Sequence, residues 1–580
     1  MWQLQSLIAL LTLKLTMSQL DAAQPNIVII MADDMGFDDV SFRGANQFVT
    51  PNIDALAYSG VILKNLYVPA MCTPSRAAML TGKYPINTGM QHYVIPNDQP
   101  WSLPTNETTM AQIFQKHGYY TSLIGKWHLG MSRRAYTPTL RGFDHHYGYL
   151  GSYIDYWHHS LYSPRKNYSR GHDFRDNLRV TREHIGTYAT DLFTEEAVNV
   201  IKRQKARAKP LLLLLNHLAP HSGNEDAPLQ APESEIAKFA YIQNTERRIY
   251  AACCCSFAAM VAELDKSVGR VISALSEQNM LNSTIILFYS DNGGPTQGMH
   301  ATTASNYPLR GQKNSPWEGG LRSSAAIWSP LFEKLGTVWK QRIYVADLLP
   351  TLASAVGITL PEELQLDGLN LWSALRYGYE SLEREIVHNI DDYYAYSKGK
   401  WKFLQGTTEK GQYDNWLGTR PSTDIDPRVA NYEEVIKNTS VWQQLNVFQS
   451  NNSAVNITKL RLEAEIVCKI NTANDTSCNP LIESCLFDID EDPCEQNNLY
   501  ERHKGATFFQ EMLERIRFFS EHARKPNNRP TDPDCDPKYY NYEWTWWEDT
   551  EKQVAESSNS GASSFRVTMW WWKQLVKYLY

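Results

Sequence analysis

One pattern limits the fold more than any other. Four short apolar runs, Asn26–Met31, Tyr120–Ile124, Pro210–Leu215 and Thr284–Tyr289, each end in a polar loop and alternate with stretches of helical periodicity. Continuous runs of this length read as strands buried on both faces. Strands alternating with helices predict an α/β fold: a mostly parallel sheet with helices on both faces. The helical patterns fall at Ser75–Thr81, near 188–204, from about Thr245 to Ser276, and from Val345 to a glycine stop at Gly357. Thr50-Pro51 reads as the cap and first residue of a shorter helix, and Thr105 as the cap of one ending at His117-Gly118.

Length and charge narrow the possibilities further. A chain of 580 residues predicts one large domain plus a smaller one. The net charge of −7 leaves no excess of cations for broad nucleic-acid binding, so an anionic ligand needs a local cluster. Residues 1–23 read as a secretory signal peptide: an apolar run from Leu4 to Met17, then small residues at Ala22 and Ala23. No later stretch is long and apolar enough for a transmembrane anchor. Sequons at Asn106, Asn167, Asn282, Asn438, Asn451, Asn456 and Asn474 agree with passage through the secretory pathway.

The cysteines form three sets. Cys72 stands alone. Cys253, Cys254 and Cys255 are consecutive in a helical pattern; removing Cys253 to Ala259 leaves an unbroken amphipathic run, which reads as a local duplication. A triple-cysteine metal site is disfavoured, because adjacent helical residues do not face one ligand. Cys468, Cys478, Cys485, Cys494 and Cys535 lie near the C-terminus, where short-range pairs such as 468–478 and 485–494 are open to them.

Chemistry-bearing residues gather after the strands, and ligands in such sheets bind beyond the carboxyl ends. Asp33 and Asp34 follow the first run, Lys126 and His128 the second, His221 the third, and Asp291 and Asn292 the fourth. Three carboxylates and an amide suit a hard cation, Ca²⁺ or Mg²⁺, rather than zinc. Lys313 lies in a glycine-punctuated loop, Pro308–Gly320, and supplies a further cation. Cys72 opens the motif Cys-Thr-Pro-Ser-Arg, followed by Leu-Thr-Gly-Lys.

Together, Ala-Asp-Asp, Cys-Thr-Pro-Ser-Arg, Gly-Lys-Trp-His-Leu-Gly, Ser-Asp-Asn-Gly-Gly and Arg-Gly-x-Lys-x-Ser-x-Trp-Glu-Gly-Gly occur in the order that resembles the formylglycine-dependent type I sulfatases. The likeness is greatest to the arylsulfatase B branch, which includes N-acetylgalactosamine-4-sulfatase. It is dense over residues 26–360 and thins through 385–500. The resemblance implies an alkaline-phosphatase-like α/β domain with a smaller C-terminal α/β domain. On this reading 24–384 form the catalytic domain, 385–549 the smaller domain with a glycosylated insertion, and 550–580 a linker and aromatic tail.

The resemblance also implies roles. Cys72 is the precursor of formylglycine, installed by a formylglycine-generating enzyme, and its hydrate is the nucleophile. One Ca²⁺ binds Asp33, Asp34, Asp291, Asn292 and the modified Cys72. Arg76 orients the hydrate, while Lys126, His221 and Lys313 contact sulfate, and Ser152 is a further contact. His221 with Lys313 protonates the leaving oxygen, and His128 takes the proton that releases sulfate. The implied substrates are an aryl sulfate or a sulfated glycan, such as the N-acetylgalactosamine 4-sulfate of dermatan or chondroitin sulfate. The implied location is the lysosome or the extracellular space. Two alternatives stay open on the residues alone: a phosphate or phosphonate ester hydrolase of the same fold, and a catalytically silent secreted glycan-binding protein.

Overall fold

The computed structural model describes residues 24–162, 168–204, 206–207, 209–243, 247, 257–379, 383–418, 420, 423–449, 455–468 and 477–552. The expected signal segment, the run at Cys253–Cys255, the aromatic tail and the sequons at Asn167, Asn451 and Asn474 lie outside them.

Among the described residues a sheet of ten strands organises the larger region. The strands are β1 (Asn26–Ala32), β2 (Val61–Tyr67), β3 (Tyr120–Lys126), β4 (His145–Tyr149), β5 (Arg175–Asp176), β6 (Arg179–Val180), β7 (Leu211–Asn216), β8 (Thr284–Ser290), β9 (Arg322–Trp328) and β10 (Thr337–Tyr344). Their order is β10-β2-β9-β8-β1-β7-β3-β4-β5-β6. The central strands β8, β1, β7, β3 and β4 are all parallel, and antiparallel pairs begin outside them at β8–β9 and β4–β5. The expected apolar runs are therefore the heart of the sheet.

Every residue of β7 and β8 is buried, so both sheet faces are covered. Helix α5 (Phe257–Glu277) packs against α1 (Pro51–Ser59) and α4 (Ala189–Gln204); α2 (Cys72–Thr81) packs against α3 (Met110–Lys116) and α6 (Leu348–Ala355).

Two expected caps differ. The cap of α3 is Thr109, not Thr105: Thr109 and Gln112 exchange side-chain bonds with each other's backbone N–H in a capping box. Thr50 precedes α1 but makes no side-chain cap; its hydroxyl instead donates to Asp54 at 2.8 Å.

A smaller antiparallel sheet follows, β11 (Glu385–Ile390), β12 (Tyr394–Lys398), β13 (Trp401–Gln405) and β14 (Cys485–Asp488). Helix α7 (Thr507–His522) contacts β11. It buries Phe509, Met512, Ile516 and Phe519, one stripe at helical spacing. One continuous apolar core runs through both sheets.

The disulfides join Cys468 to Cys494 and Cys478 to Cys485, not the neighbours 468–478 and 485–494. Cys478 closes the short loop leading into β14. Cys494, beyond the turn after β14, packs with Phe37, Leu309 and Ile466, which brings it to Cys468. Cys72 and Cys535 are buried free thiols. No helix of the described residues is long and apolar enough to cross a membrane.

Candidate active site

The carboxyl ends of the parallel strands converge on Cys72, the first residue of α2. Its Sγ lies 3.6 Å from Asp33 Oδ1 and 4.0 Å from Asp34 Oδ1. Asp33 and Asp34 leave β1, Asp291 and Asn292 leave β8, and parallel pairing of β1 with β8 sets the two loops side by side. Asp34 N–H donates to Asp291 Oδ1 at 3.3 Å, fixing one loop to the other.

Glycine permits two close approaches. Gly125 has φ +95° and lies so near Asn216 O that a Cβ would come within 1.9 Å, which seats Lys126 tightly against β7. A Cβ on Gly293 would meet Gly319 O at 1.9 Å, so only glycine lets the loop after Asn292 meet the loop that carries Lys313.

Three buried carboxylates face three buried cations. Lys126 Nζ is 2.7 Å from Asp33 Oδ2. Lys313 Nζ is 2.6 Å from Asp34 Oδ1 and 2.7 Å from Oδ2. Arg76 donates from Nε and Nη2 to Asp291 Oδ2 at 3.1 and 2.8 Å, and from Nη1 to Lys126 O. The structure puts His221 rather than His217 in this cluster: His221 Nε2 is 3.4 Å from Asp34 Oδ2, whereas His217 turns to Ser267.

His128 lines the same cleft. Its Nε2 bonds Ile95 O at 3.0 Å, and its Nδ1 is buried without a partner. Ser152 also lines the cleft, but its N–H and hydroxyl both donate to Asn97 Oδ1. Every residue expected at the site is therefore at or beside it.

Burial pushes the Cys72 thiol up to about 12, against the pull of Lys126 and Lys313, so it is no thiolate near neutral pH. Burial and the neighbouring cations hold His128 and His221 well below the usual imidazole range. Burial works against the Lys313 charge, but Asp34 and Cys72 outweigh it and raise its pKa.

The residues also suit a metal ion. Ligand atoms of Asp33, Asp34, Cys72 and His221 lie within 4.8 Å of one another. Asn292 Oδ1 is buried without a hydrogen-bond partner beside them, while its amide nitrogen donates to Asp34 Oδ1 at 2.6 Å. An orphaned oxygen among carboxylates is what a hard cation recruits. The arrangement thus joins a cation-lined anion pocket to an oxygen-rich metal cradle at one buried side chain.

A model of the family described as sulfatase matches residues 25–358. The chain belongs to the sulfatase family. Arylsulfatase J of Mus musculus is 32% identical over 562 residues, covering 92% of this sulfatase and 82% of the relative. N-acetylgalactosamine-6-sulfatase of Homo sapiens is 30% identical over 383 residues, 63% of this chain and 69% of the relative. Among solved structures, the crystal structure of Ps i-CgsB aligns with a TM-score of 0.65 at 27% identity, covering 87% of this chain and 94% of that one. This sulfatase is accordingly a sulfuric ester hydrolase. The relatives support the type I family but not specifically the arylsulfatase B branch.

Sequence reasoning missed part of the cleft wall. Asn97, Tyr153, His300 and Tyr413 line it beside the expected residues. Asn97 and Tyr153 flank no distinctive motif, and His300 lies in an irregular loop with no periodic neighbours. An isolated histidine close after Ser-Asp-Asn-Gly-Gly was the one available signal.

Proposed function

We propose that this sulfatase hydrolyses sulfate monoesters with formylglycine made from Cys72 and one Ca²⁺ held by Asp33, Asp34, Asp291 and Asn292. The observation that carries this is the setting of Cys72: a buried thiol with no disulfide partner, too weakly acidic to act as a thiolate, aimed at two carboxylates. Formed and bound there, the aldehyde hydrate would supply the oxygen that attacks sulfur, and Ca²⁺ would offset charge on the sulfuryl oxygens.

The protein's own groups do the rest. Lys126 and Lys313 hold the sulfate by its oxygens in a desolvated pocket, where their charges act strongly. Arg76 fixes Asp291 and Asp33 against Cys72. His221, whose Nδ1 donates to Ser222 O at 2.6 Å, keeps Nε2 toward the site. The dianionic charge building on the bound sulfate favours the doubly protonated ring, which passes its Nε2 proton to the leaving oxygen. His128, whose Nδ1 has no other partner, accepts the proton whose loss frees sulfate. Ser152 braces the cleft wall through Asn97.

The substrate class we favour is sulfated N-acetylgalactosamine of dermatan or chondroitin sulfate. The arylsulfatase B likeness favours the 4-sulfate, while a named relative acts on N-acetylgalactosamine 6-sulfate. Synthesis through the secretory pathway would supply the modifying enzyme, and delivery would be lysosomal or extracellular. Asn106, Asn282 and Asn438 are exposed and fit glycan attachment; Asn456 is exposed too, though its side chain caps a helix.

Cys72→Ser tests the reading. A serine product has no second hydroxyl through which to expel sulfate, so multiple turnover of an aryl sulfate should fall at least about 10³-fold with the melting temperature retained. Near-normal turnover by a folded Cys72→Ser protein would sink the proposal.

A further inference from the structure

One wall of the cleft comes from residues 296–303, which no motif marks. Within it His300 holds a backbone φ of 60°, a conformation that residues other than glycine rarely adopt. Two contacts fix its ring. Nδ1 lies 3.0 Å from Ser222 Oγ, and the ring meets Tyr153 edge-on with centroids 4.8 Å apart. Tyr153 in turn stacks on His221 at 5.5 Å, and the His221 and His300 centroids are 5.3 Å apart. Burial, followed by His221 and Lys313, keeps His300 neutral, with its pKa down to about 3.

With Nδ1 held by Ser222, Nε2 is the ring nitrogen left for the cleft, one ring away from the histidine assigned to the leaving oxygen. The Ser222 hydroxyl can donate to Nδ1 or accept from it, so Nε2 is correspondingly a donor or an acceptor. A hydroxyl group, itself both donor and acceptor, complements either tautomer.

Resting on the sulfatase reading above, we propose that His300 Nε2 recognises a free hydroxyl on the carbon next to the one bearing the sulfate ester. The preferred substrate is then a sugar sulfate with a vicinal hydroxyl. This favours N-acetylgalactosamine 4-sulfate, whose 3-hydroxyl is vicinal, over the 6-sulfate, whose neighbouring carbon carries only the ring oxygen and ring carbon. Simple aryl sulfates lack the contact.

The test uses the full-length enzyme with methyl N-acetylgalactosaminide 4-sulfate, its 3-deoxy analogue and an aryl sulfate. For the wild type, kcat/KM should fall about 10- to 100-fold from the 4-sulfate to the 3-deoxy compound, the loss expected when a desolvated polar group is left unpaired. His300→Ala should lose a similar factor on the 4-sulfate, mainly through KM, and much less on the other two. His300→Gln, whose amide can reach the same hydroxyl, should recover most of it. Equal handling of the 4-sulfate and its deoxy analogue by the wild type would overturn the assignment without any variant. Equal losses by His300→Ala on all three substrates would also overturn it. Wild-type enzyme inactive on every sulfate ester would overturn the sulfatase reading itself, and this assignment with it.

Discussion

Two buried charge clusters draw on one loop, and they are built differently. From its middle, Lys313 enters the site where three acids meet three cations. At its end, Glu318 meets Lys402 Nζ at 2.9 Å and Arg322 Nε at 2.7 Å, and Lys402 also reaches Glu495 at 2.7 Å. Tyr67 OH donates to Glu318, and Glu318 N–H donates to Glu495 Oε2. In this second cluster each charge faces an opposite one; a surface pocket touches Arg322 but not Glu318, Lys402 or Glu495. Lys402 lies on β13, so the cluster pins the smaller sheet to the catalytic loop. The first cluster keeps Asn292 Oδ1 and His128 Nδ1 without partners and opens to a cleft. A closed cluster fixes geometry; an open one is waiting for a ligand.

Exchanging a lysine in each cluster separates the roles most sharply. Lys313→Met should lower kcat/KM by at least about 10²-fold, the loss seen when one preorganised charge leaves a dry site. With Ca²⁺ present to offset Asp34, its stability should change little. Lys402→Met should instead cost about 3–5 kcal/mol in denaturant unfolding, because Glu495 is left buried without its cation and Glu318 keeps only Arg322. Two variants with matching activity and stability losses would erase the distinction.

Ca²⁺ sharpens the comparison from the other side. At about 100 times its Kd the ion should stabilise the protein by about 2.7 kcal/mol, and a chelator should reverse this. Asn292→Ala should lose much of the increment, whereas Lys402→Met should keep it. An increment that Asn292→Ala leaves intact would place the ion elsewhere.

How far each cluster could be read from sequence follows from its position. Asp33-Asp34, Lys126, His128 and Asp291-Asn292 sit at fixed offsets from apolar strand runs, so their convergence was legible once the sheet was. The closed cluster was not: Glu318 and Lys402 are 84 residues apart, and a lone lysine in a strand reads as solvated. The disulfide pairing is not legible in the sequence: Cys478–Cys485 closes a local loop, but Cys468–Cys494 depends on the packing of Cys494 beyond the turn after β14. Thr105 and Thr109 both read as caps by residue type, and only the Gln112 partner of the capping box distinguishes Thr109. His300 was missed since its loop has no period at all.

Per pH unit, acid stability is the smallest expected effect. Burial holds His217 down to about 3, as it does His388 on β11. Both are neutral when folded and take up protons when unfolded, at about 6.5. Their contribution is therefore complete above pH 6.5 and is lost as pH falls toward 3, at about 1.4 kcal/mol per pH unit for each proton. His217→Gln, which can still bond Ser267, should flatten the pH dependence of stability by one such slope; an unchanged slope would contradict the assignment.

The central claim concerns one side chain, and one mass measures it. The tryptic peptide containing Cys72, taken from protein made in a secretory host, should be lighter than its encoded mass by the difference between a thiol-bearing and an aldehyde-bearing side chain. An unmodified cysteine peptide from protein that still turns over sulfate esters would contradict the account.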